Sequence, residues 1–501
     1  MPSFTAPLAI GIIDKHWIQV IKAHLLWHGE QKTIDLETLN TSLKILDSLV
    51  TGAPQPSWDT FRTHCARALP AKTNDLLAQI PQKPFMRIVC ALLIKDNNGV
   101  TLRQYYKYRD TFRDLALKHQ NVVQKLDNGK LTTVGYQFAK FYSNIKKVLD
   151  DLVISRRYVE TVADASDLDN VNEGFSVEQL SFMAQQLELF DVPSFSSSNQ
   201  NWFAENAKEL ASLSKGVIRY LRSMIAKQQA KADNALMTEA EGSADATISY
   251  NIAQFSIDLD TYTGLFTQMH NAFAGVRKVI QSLEIFPDAI QVGISDSDKK
   301  RIGIFIVPLM KRIFDGERKR EVFDEIFFEG AEVDSMIYRL SQELNNEYRD
   351  STKPVCCVGF TEGAIIFLGK ILPLLNFPLY LLTDKLSFYG ASTSVDSSKS
   401  IDIKFDNSKY DGNRVIIFDD IIDQGITVQK FLEQARAKTK AVDFKICMLF
   451  AKPNPKNVYG KIDFLGSMLP NVWVVGYGFD TLYKHRNADA VGSIKESFKK
   501  E

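Results

Sequence analysis

From about residue 316 the chain alternates short apolar runs with helical patterns: PVCCVGF, a helix, PLYLL, a polar loop, RVIIF, a helix, FKICMLF, KIDF and VWVVGYG. Strands joined by crossover helices require a mostly parallel sheet with helices on both faces. Ligands of such sheets bind beyond the carboxyl ends of the strands. The third run continues as VIIFDDIIDQGIT, residues 415–427, which places Asp419 and Asp420 at that edge. The most apolar stretch, AIIFLGKILPLLNFPLYLL, is broken by Lys370 and two prolines, and reads as a buried helix followed by a strand.

The preceding 300 residues have a different texture. Apolar residues recur there every three or four positions, the period of helices that bury one face. Phe266, Met269, Phe273, Val276, Ile280 and Leu283 form one stripe, ended by Pro287; Val217, Leu221, Met224 and Ile225 form another. The small polar stretches DVPSFSSSNQ (191–200) and TEAEGSADATIS (238–249) read as exposed loops or linkers, and DNG at 127–129 as a turn. The expected organisation is multidomain: a helical domain over 1–190, a helical region over 201–300 that is either separate or part of the first, and an α/β domain over 316–501.

Composition excludes little, but it removes some classes. Sixty basic and sixty acidic residues cancel, so no whole-chain charge draws nucleic acid or an anionic membrane. The segment RQYYKYRDTFR (103–113) interleaves basic and aromatic residues as single-stranded nucleic-acid surfaces do, yet reads better as an amphipathic helix with a solvated basic face. Five cysteines without zinc or disulfide spacing fit reduced thiols in a cytoplasmic protein. The opening MPSFTAPLAIGIIDKHW has neither a basic leader nor a long apolar run, so no signal peptide or membrane span is expected.

The carboxylates and the following loop suggest a ligand. After the strand, DQGIT turns into a helix beginning near Thr427, where free N–H groups and the helix dipole favour phosphate. Gly425 allows close backbone approach, and the Thr427 hydroxyl adds a donor. Adjacent carboxylates suit neighbouring sugar hydroxyls and attract Mg²⁺. Together they describe a phosphorylated ribose.

The full string of apolar strand, DD, two apolar residues, D-x-G-x-T and helix resembles the phosphoribosyl diphosphate (PRPP) signature of the type I phosphoribosyltransferases. KICMLFAKPNP and KIDFLGSMLPNVWVVGYGFDTLYKHRN are similar to the purine-recognition end of the hypoxanthine-guanine phosphoribosyltransferases. KLSFYGASTS resembles that family's mobile closing loop, and VFDEIFFEGAEVDSMIYRLSQELNNEYRD its opening strand and helix. The resemblance spans about 316–501.

It implies a purine-salvage glycosyltransferase that takes phosphoribosyl from PRPP to hypoxanthine or guanine, with Mg²⁺, giving nucleotide and pyrophosphate. By resemblance, Asp423 is the catalytic acid/base facing purine N7. PRPP falls to Asp419, Asp420, Gln424, Gly425, Ile426, Thr427, Gly359, Gly363 and Arg486. The purine falls to Lys452, Trp473, Val474 and Asp480, and the closing loop to Ser387 and Tyr389. Asp480, Asp419 and Asp420 are the implied metal ligands. A homo-oligomer is expected, with no membrane partner and no nucleic acid.

Two positions depart from the family pattern. Gln424 replaces a hydroxyl residue in the phosphate loop. The run VGFTEGA (358–364) stands where the family carries Leu-Lys-Gly-Gly, so a lysine is missing and Glu362 brings an anion toward an anionic leaving group. These departures keep open a second reading, a binding module that senses PRPP or a purine nucleotide and signals to the helical region. On the enzyme reading the helical extension has a regulatory or interaction task.

Overall fold

The computed structural model describes residues 10–49, 58–160, 175–190, 201–251, 259–314, 319–360, 362–384, 403–454 and 462–499. The chain divides into two compact units, Met1–Phe314 and Asp315–Glu501.

The first unit is helical, with two short antiparallel ribbons. One joins β1 (Val123–Lys125) to β2 (Leu131–Thr133), and the other joins β3 (Ala230–Lys231) to β4 (Glu284–Ile285). Its longest helix, Gln82–Lys118, packs against Ile10–Glu30, Val134–Ser155 and Leu259–Gln281. The expected stripe on the last of these is buried at Phe266, Met269, Phe273, Val276 and Ile280, but the helix ends at Gln281, short of Leu283. The DNG turn is the β1–β2 connection, with Gly129 at φ 79° and its N–H bonded to Leu126 O at 2.9 Å.

Two sequence expectations fail here. TEAEGSADATIS is not a loop; it belongs to the helix Asn234–Ile248, capped by Asp233 Oδ1, which accepts from the N–H groups of Ala235 and Leu236. After Met237 its buried face is small (Ala240, Ala244, Thr247), and a Cβ on Gly275 of the neighbouring helix would lie only 2.7 Å from Ala240 Cβ. Close approach of small residues replaced the large apolar stripe that periodicity detects. RQYYKYRDTFR presents little aromatic surface, because Tyr105, Tyr106, Arg109 and Phe112 are buried and Tyr108 is half-buried. The Arg109 guanidinium lies 5.1 and 5.2 Å from the ring centres of Tyr106 and Tyr142 and donates to Asp110 Oδ1. The segment is part of an amphipathic helix as expected, with Lys107 exposed, but its Arg109 belongs to the core and not to the solvated basic face. The stretch 191–200 lies outside the described residues.

The second unit holds a five-stranded parallel sheet in the order β10-β9-β8-β6-β7. Its strands are β6 (Val355–Phe360), β7 (Leu379–Asp384), β8 (Arg414–Ile422), β9 (Asp443–Ala451) and β10 (Phe464–Met468). Burial on both faces explains the unbroken apolar runs of β6, β8 and β9, whereas the edge strand β7 leaves Leu381 47% exposed. On β8, Ile416 and Phe418 enter the core beneath the helices Gly330–Tyr348 and Ile365–Ile371, while Val415 and Ile417 face the helix Ile426–Lys438.

A separate antiparallel sheet, β11-β12-β5, comprises β5 (Phe323–Glu329), β11 (Val474–Val475) and β12 (Ala490–Ile494). VWVVGYG therefore does not extend the parallel sheet as its apolar texture implied. Positive φ at Gly476 (88°), Tyr477 (52°) and Gly478 (109°) ends the strand after two residues. Arg320, buried, pins this sheet through Glu329 (2.6 Å) and Asp489 (3.1 Å).

Candidate active site

The site opens where strand pairing becomes unequal. β8 pairs with β6 only as far as Phe418, opposite Gly359, but with β9 as far as Ile422, opposite Ala451. Asp419 and Asp420 thus lie inside β8, not beyond its end, at the point where the β6 side is vacated. The vacated side is covered by the turn containing Glu362 and Gly363. A Cβ on Gly363 would fall 2.1 Å from Asp420 Oδ2, so only glycine lets this turn close onto the carboxylate.

Asp420 is 9% exposed, and its N–H donates to Asp419 Oδ1 at 3.0 Å. Burial pushes the Asp420 carboxyl up to about 6, against the downward pull of Arg486. Asp419 is raised too, by burial first and then by the charge of Asp420.

At the next strand end, Lys452 N–H donates to Ile422 O at 3.0 Å, which aligns its side chain with Asp423. Lys452 Nζ donates to Asp423 Oδ2 at 3.3 Å, and Asn454 Nδ2 donates to Asp423 Oδ1. Both oxygens of Asp423 are therefore engaged. Asn454 escaped sequence reasoning; the signal available was a polar residue two positions after the strand-end lysine, with Pro453 fixing the intervening φ.

Beyond Asp423, Gly425 adopts a left-handed conformation (φ 72°) and caps the helix Ile426–Lys438. The N–H groups of Ile426, Thr427 and Val428 precede the first intrahelical bond, Gln429 N–H to Gly425 O at 2.9 Å. Gln424 flanks this turn and is half-buried.

The other wall comes from β11 and the segments that flank it. Trp473, 41% exposed, is fixed by its indole N–H, which donates to Thr481 Oγ1 at 2.7 Å and Asp480 O at 3.2 Å. Val474 is buried and paired with Ser493. Arg486 donates from Nη1 to Gly478 O at 2.6 Å, and its Nη2 lies 2.8 Å from Asp480 Oδ1 and 3.9 Å from Glu362 Oε2. A Cβ on Gly478 would meet Gly363 O at 2.5 Å, so the two walls touch through glycines. Tyr477 anchors this segment through hydroxyl donation to Asp334, which also accepts from Lys370.

The structure thus gathers Asp423 with Lys452, Asp420 with Gly363, and Asp480 with Arg486; the stretch 419–427 connects the first two groups. Gly359 is placed one residue before the end of β6. It is internal to β6, paired with Thr383 on one side and Phe418 on the other, and its missing Cβ makes room for Leu368 at 2.2 Å. Ser387 and Tyr389 lie outside the described residues.

Among the described residues, no group of three or more His, Cys, Asp or Glu side chains is placed to hold a metal ion. Asp419 and Asp420 still fit Mg²⁺, a hard cation that uses one or two carboxylates and completes its shell with water and substrate oxygens. Asp480 fits poorly in this arrangement, because Oδ1 is engaged by Arg486 and Oδ2 by the Tyr483 N–H at 2.7 Å.

A family model described as the phosphoribosyl transferase domain matches residues 329–481, so fold and site define a type I phosphoribosyltransferase unit. The hypoxanthine-guanine phosphoribosyltransferase of Bacillus subtilis is 32% identical over 172 residues, covering 34% of this chain and 93% of that protein. The hypoxanthine-guanine-xanthine phosphoribosyltransferase of Tritrichomonas foetus is 30% identical over 178 residues, covering 35% and 93%. The bifunctional protein TilS/HprT of Listeria monocytogenes is 30% identical over 191 residues, covering 38% and 29%. Through its C-terminal unit, the chain belongs to the hypoxanthine-guanine phosphoribosyltransferase family. Among the described residues, no helix is long and apolar enough to cross a membrane.

Proposed function

We propose that the C-terminal unit transfers the phosphoribosyl group of PRPP to a 6-oxopurine, hypoxanthine or guanine, releasing pyrophosphate, and that the helical unit regulates it or binds a partner. The observation that carries this reading is the pairing of Lys452 with Asp423 at 3.3 Å beside a phosphate-ready helix N-terminus. A 6-oxo group that takes the Lys452 ammonium frees Asp423 Oδ2 to face purine N7. N9 then attacks C1′, the C1′–O bond breaks, and pyrophosphate departs with the electron pair while Asp423 receives or shares the purine proton.

The N–H groups at 426–428 and the Thr427 hydroxyl would hold the 5′-phosphate. Asp419 and Asp420 would take the ribose diol and hold Mg²⁺, which when bound neutralises charge on the departing pyrophosphate. Arg486 would grip that leaving group, and Trp473 would stack on the base.

The test is turnover. Purified protein incubated with PRPP, Mg²⁺ and hypoxanthine, guanine, xanthine or adenine in turn should release pyrophosphate and form nucleotide with the first two. Binding of PRPP without turnover on any base would instead support the sensor reading, which the position of Glu362 beside Arg486 favours.

A further inference from the structure

Arg486 has carboxylate company on two sides. Asp480 Oδ1 lies 2.8 Å from Nη2 and Glu362 Oε2 lies 3.9 Å from the same nitrogen. Asp420, whose carboxyl is also sensitive to Arg486, touches the Gly363 turn that carries Glu362. One permanent cation thus has two carboxylates within 4 Å before any anion arrives. Asp480 is held in place by the Tyr483 N–H and by the indole-anchored segment around Trp473. Glu362 differs: it stands on the covering turn, with 46% of its side chain exposed, and approaches Arg486 from outside.

We infer that Glu362 is a specificity-determining residue for the leaving group, competing with pyrophosphate for Arg486 and so weakening retention of that product. The inference rests on the proposed role of Arg486. Pyrophosphate must displace Glu362 from the guanidinium and also tolerate its negative charge nearby; both effects lower affinity for the anion. The consequence is directional. A site that holds pyrophosphate loosely releases it readily and runs the reverse reaction poorly, because reversal requires pyrophosphate to rebind beside the nucleotide.

Calorimetric titration of inorganic pyrophosphate with Mg²⁺ into the full chain tests this, using wild type, Glu362→Gln, Arg486→Gln and the double variant. Glutamine keeps the size of Glu362 and removes its charge, and the half-exposed position tolerates it. Glu362→Gln should tighten pyrophosphate binding about three- to tenfold, a factor suited to a solvent-screened ion pair plus relief of repulsion. In the Arg486→Gln background the same change should have a clearly smaller effect, since the competition has lost its object.

Unchanged or weaker binding in Glu362→Gln overturns the proposal. So does an equal gain with and without Arg486, which reduces Glu362 to a diffuse repulsive charge. If Arg486→Gln alone leaves pyrophosphate affinity intact, the assignment of Arg486 to the leaving group fails as well. If wild type binds too weakly to measure, appearance of binding in Glu362→Gln supports the inference, and continued silence rejects it.

Discussion

Lys452 and Asp423 meet across the carboxyl edge of the sheet, Nζ to Oδ2 at 3.3 Å, from the ends of two adjacent parallel strands. The ammonium can reach a 6-oxo oxygen only by sharing or leaving the carboxylate, so base binding and release of Asp423 are linked.

Asp423→Asn keeps the shape and the acceptor for Asn454 but removes the proton acceptor. The expected outcome is a fall in kcat of about 10²–10³, within the range of a positioned acid/base group, with little change in the Kd of PRPP. Steady-state kinetics and a PRPP titration on the same preparation check it; an unchanged rate would remove Asp423 from the chemistry.

Asn454 has no part in binding PRPP on this geometry, yet it holds Asp423 Oδ1. A hydrogen bond to a charged group contributes about 1.5–3 kcal/mol when well shielded, less in an open cleft. Asn454→Ala should lower kcat/KM for hypoxanthine roughly tenfold and leave PRPP affinity alone. Asn454→Ser, which retains a donor, should recover part of the loss.

The aspartate pair makes stability depend on pH. Asp420 rises from its ordinary value of 3.8 to about 6 in the fold, and Asp419 moves the same way. Between those values the folded chain keeps a proton that the unfolded chain has released. The stabilisation is therefore fully present below 3.8 and is lost as pH rises through about 6. Asp420→Asn should remove the Asp420 share of this dependence, leaving that of the buried Asp419, and raise stability at pH 7 by roughly 1–3 kcal/mol, the order expected for a shift of this size in a buried group. Thermal midpoints of the ligand-free protein between pH 4 and 7 measure it; a flat wild-type profile would contradict the assignment.

Gly363→Ala places a methyl 2.1 Å from Asp420 Oδ2, so either the turn or the carboxylate must move. Misplacement on this scale at a reacting centre costs up to about 100-fold. We expect kcat/KM to fall by roughly 10- to 100-fold with the circular dichroism spectrum unchanged. Gly359→Ala should act differently, lowering the thermal midpoint through collision with Leu368, since it lies in a strand.

Much of the second unit was legible because its signals are local. An apolar run buried on both faces, as at Val415–Phe418, needs no knowledge of its neighbours to read as a central strand, and a left-handed Gly425 before a helix is written in D-x-G-x-T. The misreadings arose where packing overrules texture. Ala240 and Ala244 form a buried helix face because Gly275 allows the backbones together, and Arg109 is buried between tyrosine rings that no charge pattern discloses.

By itself, then, the sequence determined the parallel α/β unit, the order of its strands' chemistry and the carboxylates 419, 420 and 423, because strand period, turn residues and helix caps act over a few positions. Tertiary structure alone decided which of them meet. Gly363, Asp420 and Gly478 come together because two glycines lack a Cβ, Asn454 reaches Asp423 from just beyond the end of the adjacent parallel strand, and Arg486 is shared between Asp480 and Glu362 more than a hundred residues apart. Those contacts depend on distances between distant segments, which burial and steric fit set only once the whole unit has closed.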